Sequence, residues 1–226
     1  DRLVEMEGGD DLERMVVKRL QVEEGAVMDS SLVNGLMLLK SRVDANSPEN
    51  SDGGVVAIID GGLEQAKLET DASIEVSSIG ILQEFHERSR GNLQKQVAHL
   101  SSLGVNLLVV RDGIDDEAVT QLTKAGIVAY RRFERSDMDL LSRITGARPT
   151  RSVSGLGESD LGTYSKRVEE RIADVNHTLI EGDGGGMTLV ARGSSPAVRE
   201  EAIRIFDDAI GVAHRLNSRP GVLPGG

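Results

Sequence analysis

Between residues 104 and 147 the sequence alternates two kinds of segment, and this limits the fold more than anything else in it. VNLLVV (105–110) and IVAYRRF (127–133) are short apolar runs bounded by turn residues. Runs of that length and bounding predict strands covered on both faces. DGIDDEAVTQLTKAG follows the first run, with Asp at its start and Gly at its end, as helix termini prefer. SDMDLLSRITGA follows the second and repeats the device, predicting Ser136 as N-cap and Gly146 as C-cap. Strand, helix, strand, helix in that order predicts an α/β domain.

The flanking sequence adds elements to this unit. VVAIID (55–60) predicts another buried strand, and MTLVAR (187–192) a further one. VVKRLQV near the start is strand-like within a charged arm, and apolar positions on both sides of Gly35 predict strand there, before the polar loop SRVDANSPENSDGG. An alternating, half-exposed strand is expected at the end of LEQAKLETDASIEV (63–76). Residues 79–103 carry the longest helical pattern: Leu82, Phe85, Leu93, Val97 and Leu100 recur near the 3.6 period, with Ser89 on the same face. Gly91 interrupts it, which predicts a late start, a bend or a mobile stretch. The pattern by itself fits a core helix better than a partner-binding one. Residues 148–186 read as turn-rich, and PAVREEAIRIFDDAIGVAHRL (196–216) as an amphipathic helix with Val198, Ala202, Ile205 and Ala209 on one side.

Composition removes whole classes of chemistry. The chain of 226 residues has no Cys and no Trp. Disulfides, thiolate nucleophiles, iron–sulfur clusters and Cys-ligated zinc are therefore excluded. No run approaches the ~20 apolar residues of a membrane span. The opening DRLVEMEGGDD lacks the basic-then-apolar order of a signal peptide, so a cytoplasmic protein is expected. A net charge of −11 repels nucleic acid and anionic lipid. Only six of the 26 basic residues are lysines, an acid-rich and lysine-poor pattern that suits a high-salt cytoplasm. A codon bias towards arginine gives the same composition. Asp at residue 1 and the stop at PGVLPGG lead us to expect a piece of a longer polypeptide.

No motif supplies a self-contained active site. EGDGGG (181–186) has the glycines of a phosphate loop but neither the following Lys nor the following helix, so a connecting turn is expected. His86, His99, His177 and His214 lack metal-ligand spacing, and a solvated ring is the expectation for each. Asp207 and Asp208 could orient a water or a metal, or could simply form a solvated helix face.

Several stretches taken together resemble a known family. GIDD (113–116), KAGIVAYRR (124–132), SDM (136–138), TGA (145–147), DLG (160–162) and VEER (168–171), in that order and spacing, resemble the apical domain of group II chaperonins, the archaeal thermosome and its eukaryotic cytosolic relatives. DSSLVNGLMLLK and AIID resemble that domain's beginning, and TLVARGSS and FDDAIGV the return through the intermediate domain.

The resemblance implies an α/β chaperonin apical domain at 24–186, with a helical protrusion at about 77–103 that forms a built-in lid, carried on intermediate-domain pieces at 1–23 and 187–226. It implies binding and encapsulation of unfolded polypeptides, with other subunits in a double ring, and lid movement driven by ATP and Mg2+ in an equatorial domain outside this chain. No cofactor and no enzymatic activity are expected of these residues alone. Asp208 matches the aspartate that orients the hydrolytic water, and Gly225 and Gly226 match glycines at the nucleotide. Client contact is expected at Ile79, Ile81, Leu82 and Phe85, and at Val119 and Leu122. The alternative implied is a ring subunit whose apical domain serves lid closure or assembly without binding clients.

Overall fold

Alternate side chains of VNLLVV are buried on opposite faces of one sheet, which explains why the run is apolar throughout. Leu107 and Val109 enter one core cluster while Leu108 and Val110 enter another. A computed structural model of the chain describes residues 17–64 and 79–218, with the backbone alone at 79–89, 214, 217 and 218. The described strands are β1 (Val17–Val22), β2 (Ser31–Asn34), β3 (Leu36–Leu38), β4 (Asn50–Ser51), β5 (Gly54–Ile59), β6 (Val105–Val110), β7 (Val128–Tyr130), β8 (Gly162–Tyr164), β9 (Lys166–Ile172), β10 (Val175–Glu181) and β11 (Met187–Arg192). The helices are α1 (Ile79–Ser102), α2 (Asp116–Lys124), α3 (Arg135–Thr145) and α4 (Pro196–Ser218).

These strands form three sheets. The central one has the order β7-β6-β5-β8, with β5, β6 and β7 parallel and β8 antiparallel to β5. One face packs against α1 and α2 through Leu93, Val97, Leu100, Ala118 and Leu122. The other packs against α3, β3 and β10 through Met138, Leu141, Ile144, Leu36, Leu38 and Ile180. The second sheet, β3-β10-β9-β4, is antiparallel. The third, β1-β11-β2, pairs β1 with β11 in parallel although some 165 residues of chain separate them. Leu20, Val22, Met37 and Val190 fill the space between the third sheet and the second.

Several expectations require correction. Residues 148–186 are not mainly turn, because β8, β9 and β10 lie there. The helix expected to start after Ser136 starts at Arg135, where the Met138 amide donates to the Glu134 carbonyl and closes the first turn earlier. Its expected end holds: Gly146 has φ +76 and its amide donates to the Ser142 carbonyl. In α4, Val198, Ile205 and Ala209 point to solvent, while Arg199 and Ile210 are buried and Phe206 half-buried. The helix turns that way because charged groups on the opposite flank bind β1. Arg19 Nη2 donates to Asp207 at 2.7 Å, and Arg199 Nε donates to Gln21 at 3.3 Å. The strand expected at the end of 63–76 lies outside the described residues, although Leu63 bridges to Ile114.

Helix α1 continues through Gly91, from Ile79 to Ser102, so the glycine does not delay its start. A Cβ added at Gly91 would meet no atom within 4 Å. Gly91→Ala is therefore expected to raise stability by about 1 kcal/mol by removing glycine's helix penalty. The measurement is the urea midpoint, and a lower midpoint would show that the glycine backbone itself is required.

Candidate functional site

The residues with possible chemistry fall in three places. On α4, the two aspartates have different surroundings. Asp207 is half-buried against β1, taking Arg19 Nε at 3.0 Å and Nη2 at 2.7 Å, with the same guanidinium stacked over Phe206. Asp208 lies on the exposed side, 2.8 Å from Arg204 Nη1 one turn earlier. Hydrogen bonding from Arg204 to Glu201 raises the guanidinium pKa, and attraction to both carboxylates adds to it. Of the pair, Asp208 is the more exposed. Gly225 and Gly226 lie outside the described residues.

The second place is the face formed by α1 and α2. The C-terminal half of α1 is seated by Leu93, Val97 and Leu100, and Arg90 reaches Glu117 on α2 at 3.1 Å. Beside it, Asn92, Lys95, Gln96, His99, Val153 and Ser154 line a cleft of about 250 Å³. Leu122 does not belong to a client surface in this structure: it is 0% exposed in the core under β6. Its position on α2, one turn after Ala118, puts it on the face that packs inwards. Val119 is half-buried against the same cluster. The side chains of Ile79, Ile81, Leu82 and Phe85 lie outside the described residues.

The third place was not legible in the sequence. A second cleft, of about 350 Å³, is lined by Ser41, Arg42, Glu49, Glu169 and Asn176 among others. Arg42 and Glu169 form an ion pair at 2.9 Å with side chains only 9% and 5% exposed. Burial works against the Arg42 charge, but Glu169 and Glu49 outweigh it and hold the pKa above its ordinary value. Behind them Arg167, fully buried, donates to the carbonyls of Pro48 and Glu49 at 2.9 and 3.0 Å and to the Tyr130 hydroxyl at 3.1 Å. Burial pushes the Tyr130 pKa up, so the phenol is a neutral hydrogen-bonding group here. Together these groups fasten the polar loop 41–50 to β9.

The remaining motifs are structural. EGDGGG crosses the C-terminal end of α3, where the Gly184 amide donates to the Ile144 carbonyl at 2.8 Å, a helix-end acceptor otherwise left open. A Cβ at Gly184 would come within 1.9 Å of the Arg143 carbonyl, so the glycines permit a close crossing rather than a phosphate cradle. His177 is not solvated as expected: it is 1% exposed and its Nδ1 lies 2.9 Å from the Val175 carbonyl. His99 Nε2 sits 2.9 Å from the Leu156 carbonyl. Among the described residues no group of three metal-ligating side chains is assembled, and no described helix is long and apolar enough to cross a membrane.

The model of the TCP-1/cpn60 chaperonin family matches residues 3–226. The chain belongs to this family. Its relatives include thermosome subunit alpha of Methanothermobacter thermautotrophicus, 34% identical over 226 residues, covering 99% of this chain and 41% of that protein. Thermosome subunit 1 of Haloferax volcanii is 32% identical over 228 residues, covering 100% and 41%. The thermosome subunit of Methanopyrus kandleri is 34% identical over 212 residues, covering 93% and 39%. The chain thus spans about two fifths of the relatives it matches. An open-state monomer of a group II chaperonin from Methanococcoides burtonii superposes with a TM-score of 0.71 at 23% identity, over 89% of this chain and 44% of that one. At that identity the likeness is one of fold.

Proposed function

We propose that this chaperonin-family chain is the substrate-binding and built-in-lid portion of an ATP-dependent group II chaperonin, binding unfolded polypeptides without catalysing a reaction itself. The apical unit is residues 24–186, and the intermediate-domain pieces 1–23 and 187–226 meet in the parallel pairing of β1 with β11. The observation that carries the reading is α1. It is a helix of 24 residues, about 36 Å long, anchored to the central sheet by Leu93, Val97 and Leu100 in its C-terminal half. A long helix whose C-terminal half is seated on the sheet suits a lid segment.

Client contact is assigned to Ile79, Ile81, Leu82 and Phe85 on this helix, with Val119 on α2 at the margin. In a complete double ring, Asp208 orients the hydrolytic water, and Gly225 and Gly226 contact the nucleotide with its Mg2+. The acidic, arginine-rich composition supports a high-salt cytoplasm as the setting. Relatives from halophiles and from other archaea match at similar identity, so composition carries that part of the proposal.

The test is light scattering from a chemically denatured model protein diluted into this chain in molar potassium chloride. The chain is expected to suppress aggregation, and a variant with Leu82→Asp and Phe85→Asp is expected to lose most of that suppression. Equal suppression by both would move client binding off α1. Suppression by neither would leave a subunit serving lid closure or assembly alone.

A further inference from the structure

The third sheet and α4 form a body that is tied to the rest of the chain at few points. Among the described residues the backbone passes between the two bodies at 34–36 and at 186–187, where the Gly35 amide donates to the Gly186 carbonyl at 2.9 Å. Between the bodies lie four buried apolar side chains, Leu20, Val22, Met37 and Val190, whereas the clusters on the two faces of the central sheet have sixteen each. Two polar contacts flank this small core, one from each end of β1. Lys18, near the start of the strand, pairs with Asp137 in the first turn of α3. Glu24, just past its end, accepts from the Ala173 amide in the turn between β9 and β10. The mostly extended chain from Lys18 to Glu24 sets the two contacts up to about 20 Å apart.

We propose that Lys18 and Asp137 form a releasable clasp that sets the orientation of the third sheet and α4 relative to the other two sheets. The pair spans the two bodies, and with side chains 20% and 7% exposed it is largely shielded from water while closed. A pair inside a fixed core cannot part without stranding a charge. This pair can, because separating the bodies itself admits water. Lys18 then carries its charge outwards on a flexible stem, and Asp137 keeps the favourable field of the first turn of α3. With the clasp closed, β1 is held at both ends and the third sheet cannot tilt. With it open, the third sheet turns about the paired glycines, while the small apolar core and the Glu24 contact keep the bodies joined. So small a core makes this turn cost far less than opening either large cluster. Arg19 on β1 holds Asp207, so α4 moves with the third sheet and carries Asp208 with it. The inference concerns how the two bodies sit and is independent of client contact on α1.

The experiment is a distance measurement on the 226-residue chain by pulsed electron resonance between two nitroxide labels. The chain has no cysteine, so two introduced ones are labelled uniquely. Val212→Cys on α4 with Lys124→Cys at the end of α2 reads across the two bodies, and both positions are exposed. Glu158→Cys with Lys124→Cys, again both exposed, reads within the larger body. With the clasp intact, one narrow distance is expected across the bodies. Lys18→Met and Asp137→Asn are each expected to roughly double the width of that distribution, Lys18→Arg to keep it narrow, and the distance within the larger body to stay the same in all three. An unchanged width across the bodies in both Lys18→Met and Asp137→Asn overturns the inference. An altered distance within the larger body also overturns it, since the pair would then be a support of α3 alone. None of these outcomes touches aggregation suppression, which is read separately through Leu82 and Phe85.

Discussion

Replacing Glu169 by alanine is expected to lower the stability of the chain by about 3 kcal/mol. The carboxylate takes both Arg42 Nη1 at 2.9 Å and the Arg42 backbone amide at 3.1 Å. Without it, a guanidinium whose side chain is 9% exposed keeps only the largely solvated Glu49 and the Ala45 carbonyl. Truncating one partner of a buried pair leaves the other charge desolvated and uncompensated, and this outweighs the modest net value of the pair itself. For a chain of this size the melting temperature should fall by roughly 6–12 °C. The double variant Arg42→Met with Glu169→Leu should recover most of the loss, because an apolar pair of similar volume has no unpaired charge. Urea denaturation of the three proteins decides the matter. An unchanged midpoint for Glu169→Ala would show that Glu49 and water satisfy Arg42 without it.

The second large effect is expected at Gly35, where the chain leaves β2 in the third sheet and enters β3 in the second. Its φ of +100 lies where a side chain is strained, and an added Cβ would stand 2.4 Å from the Ile180 carbonyl oxygen on β10. Relief would require β3 to move off β10. The crossing is held on both sides, because the Gly35 amide donates to the Gly186 carbonyl at 2.9 Å and Thr188 Oγ1 donates to the Gly35 carbonyl at 2.9 Å. Met37 N, two residues on, donates to the same threonine oxygen at 3.0 Å. Gly35→Ala is expected to remove about 3 kcal/mol or more, combining left-handed strain with displaced packing. Hydrogen exchange should show faster exchange at Leu36 and Leu38, two of the three β3 residues that pair with β10. A variant as stable as wild type would mean that the two sheets can part at this crossing without loss.

The difference between these residues and the legible parts of the fold is instructive. The runs VVAIID and VNLLVV could be read as buried strands because both faces of their sheet are covered, so every position is apolar. KRVEERI is equally a strand, but it shows no apolar alternation. Its inward position is taken by Arg167, whose two terminal nitrogens donate to two carbonyls and a tyrosine hydroxyl supplied from loop 41–50 and β7. Nothing local announces that such partners will arrive. The turn that follows was hidden in the same way: Ala173 and Asp174 carry φ of +49 and +62, as a two-residue hairpin turn of the mirror-image type requires, without the glycine that usually marks one.

Leu122 and α4 illustrate the same limit from the functional side. A leucine on an amphipathic helix is compatible with either a client surface or a core, and only the packing of α2 beneath β6 placed it in the core. On α4, apolar periodicity correctly found a stripe, yet two arginine-centred contacts to β1 turned the helix so that the stripe faces outwards. The sequence by itself determined the α/β alternation, the unbroken periodicity of the central strands and the family to which the chain belongs, because these rest on local pattern and on ordered motifs. The tertiary structure decided which charges are buried, which glycines are indispensable and which side of each helix is free. Those depend on groups brought together from positions more than a hundred residues apart, such as Arg42 with Glu169 and Arg19 with Asp207, and no local window of sequence contains both members of such a pair.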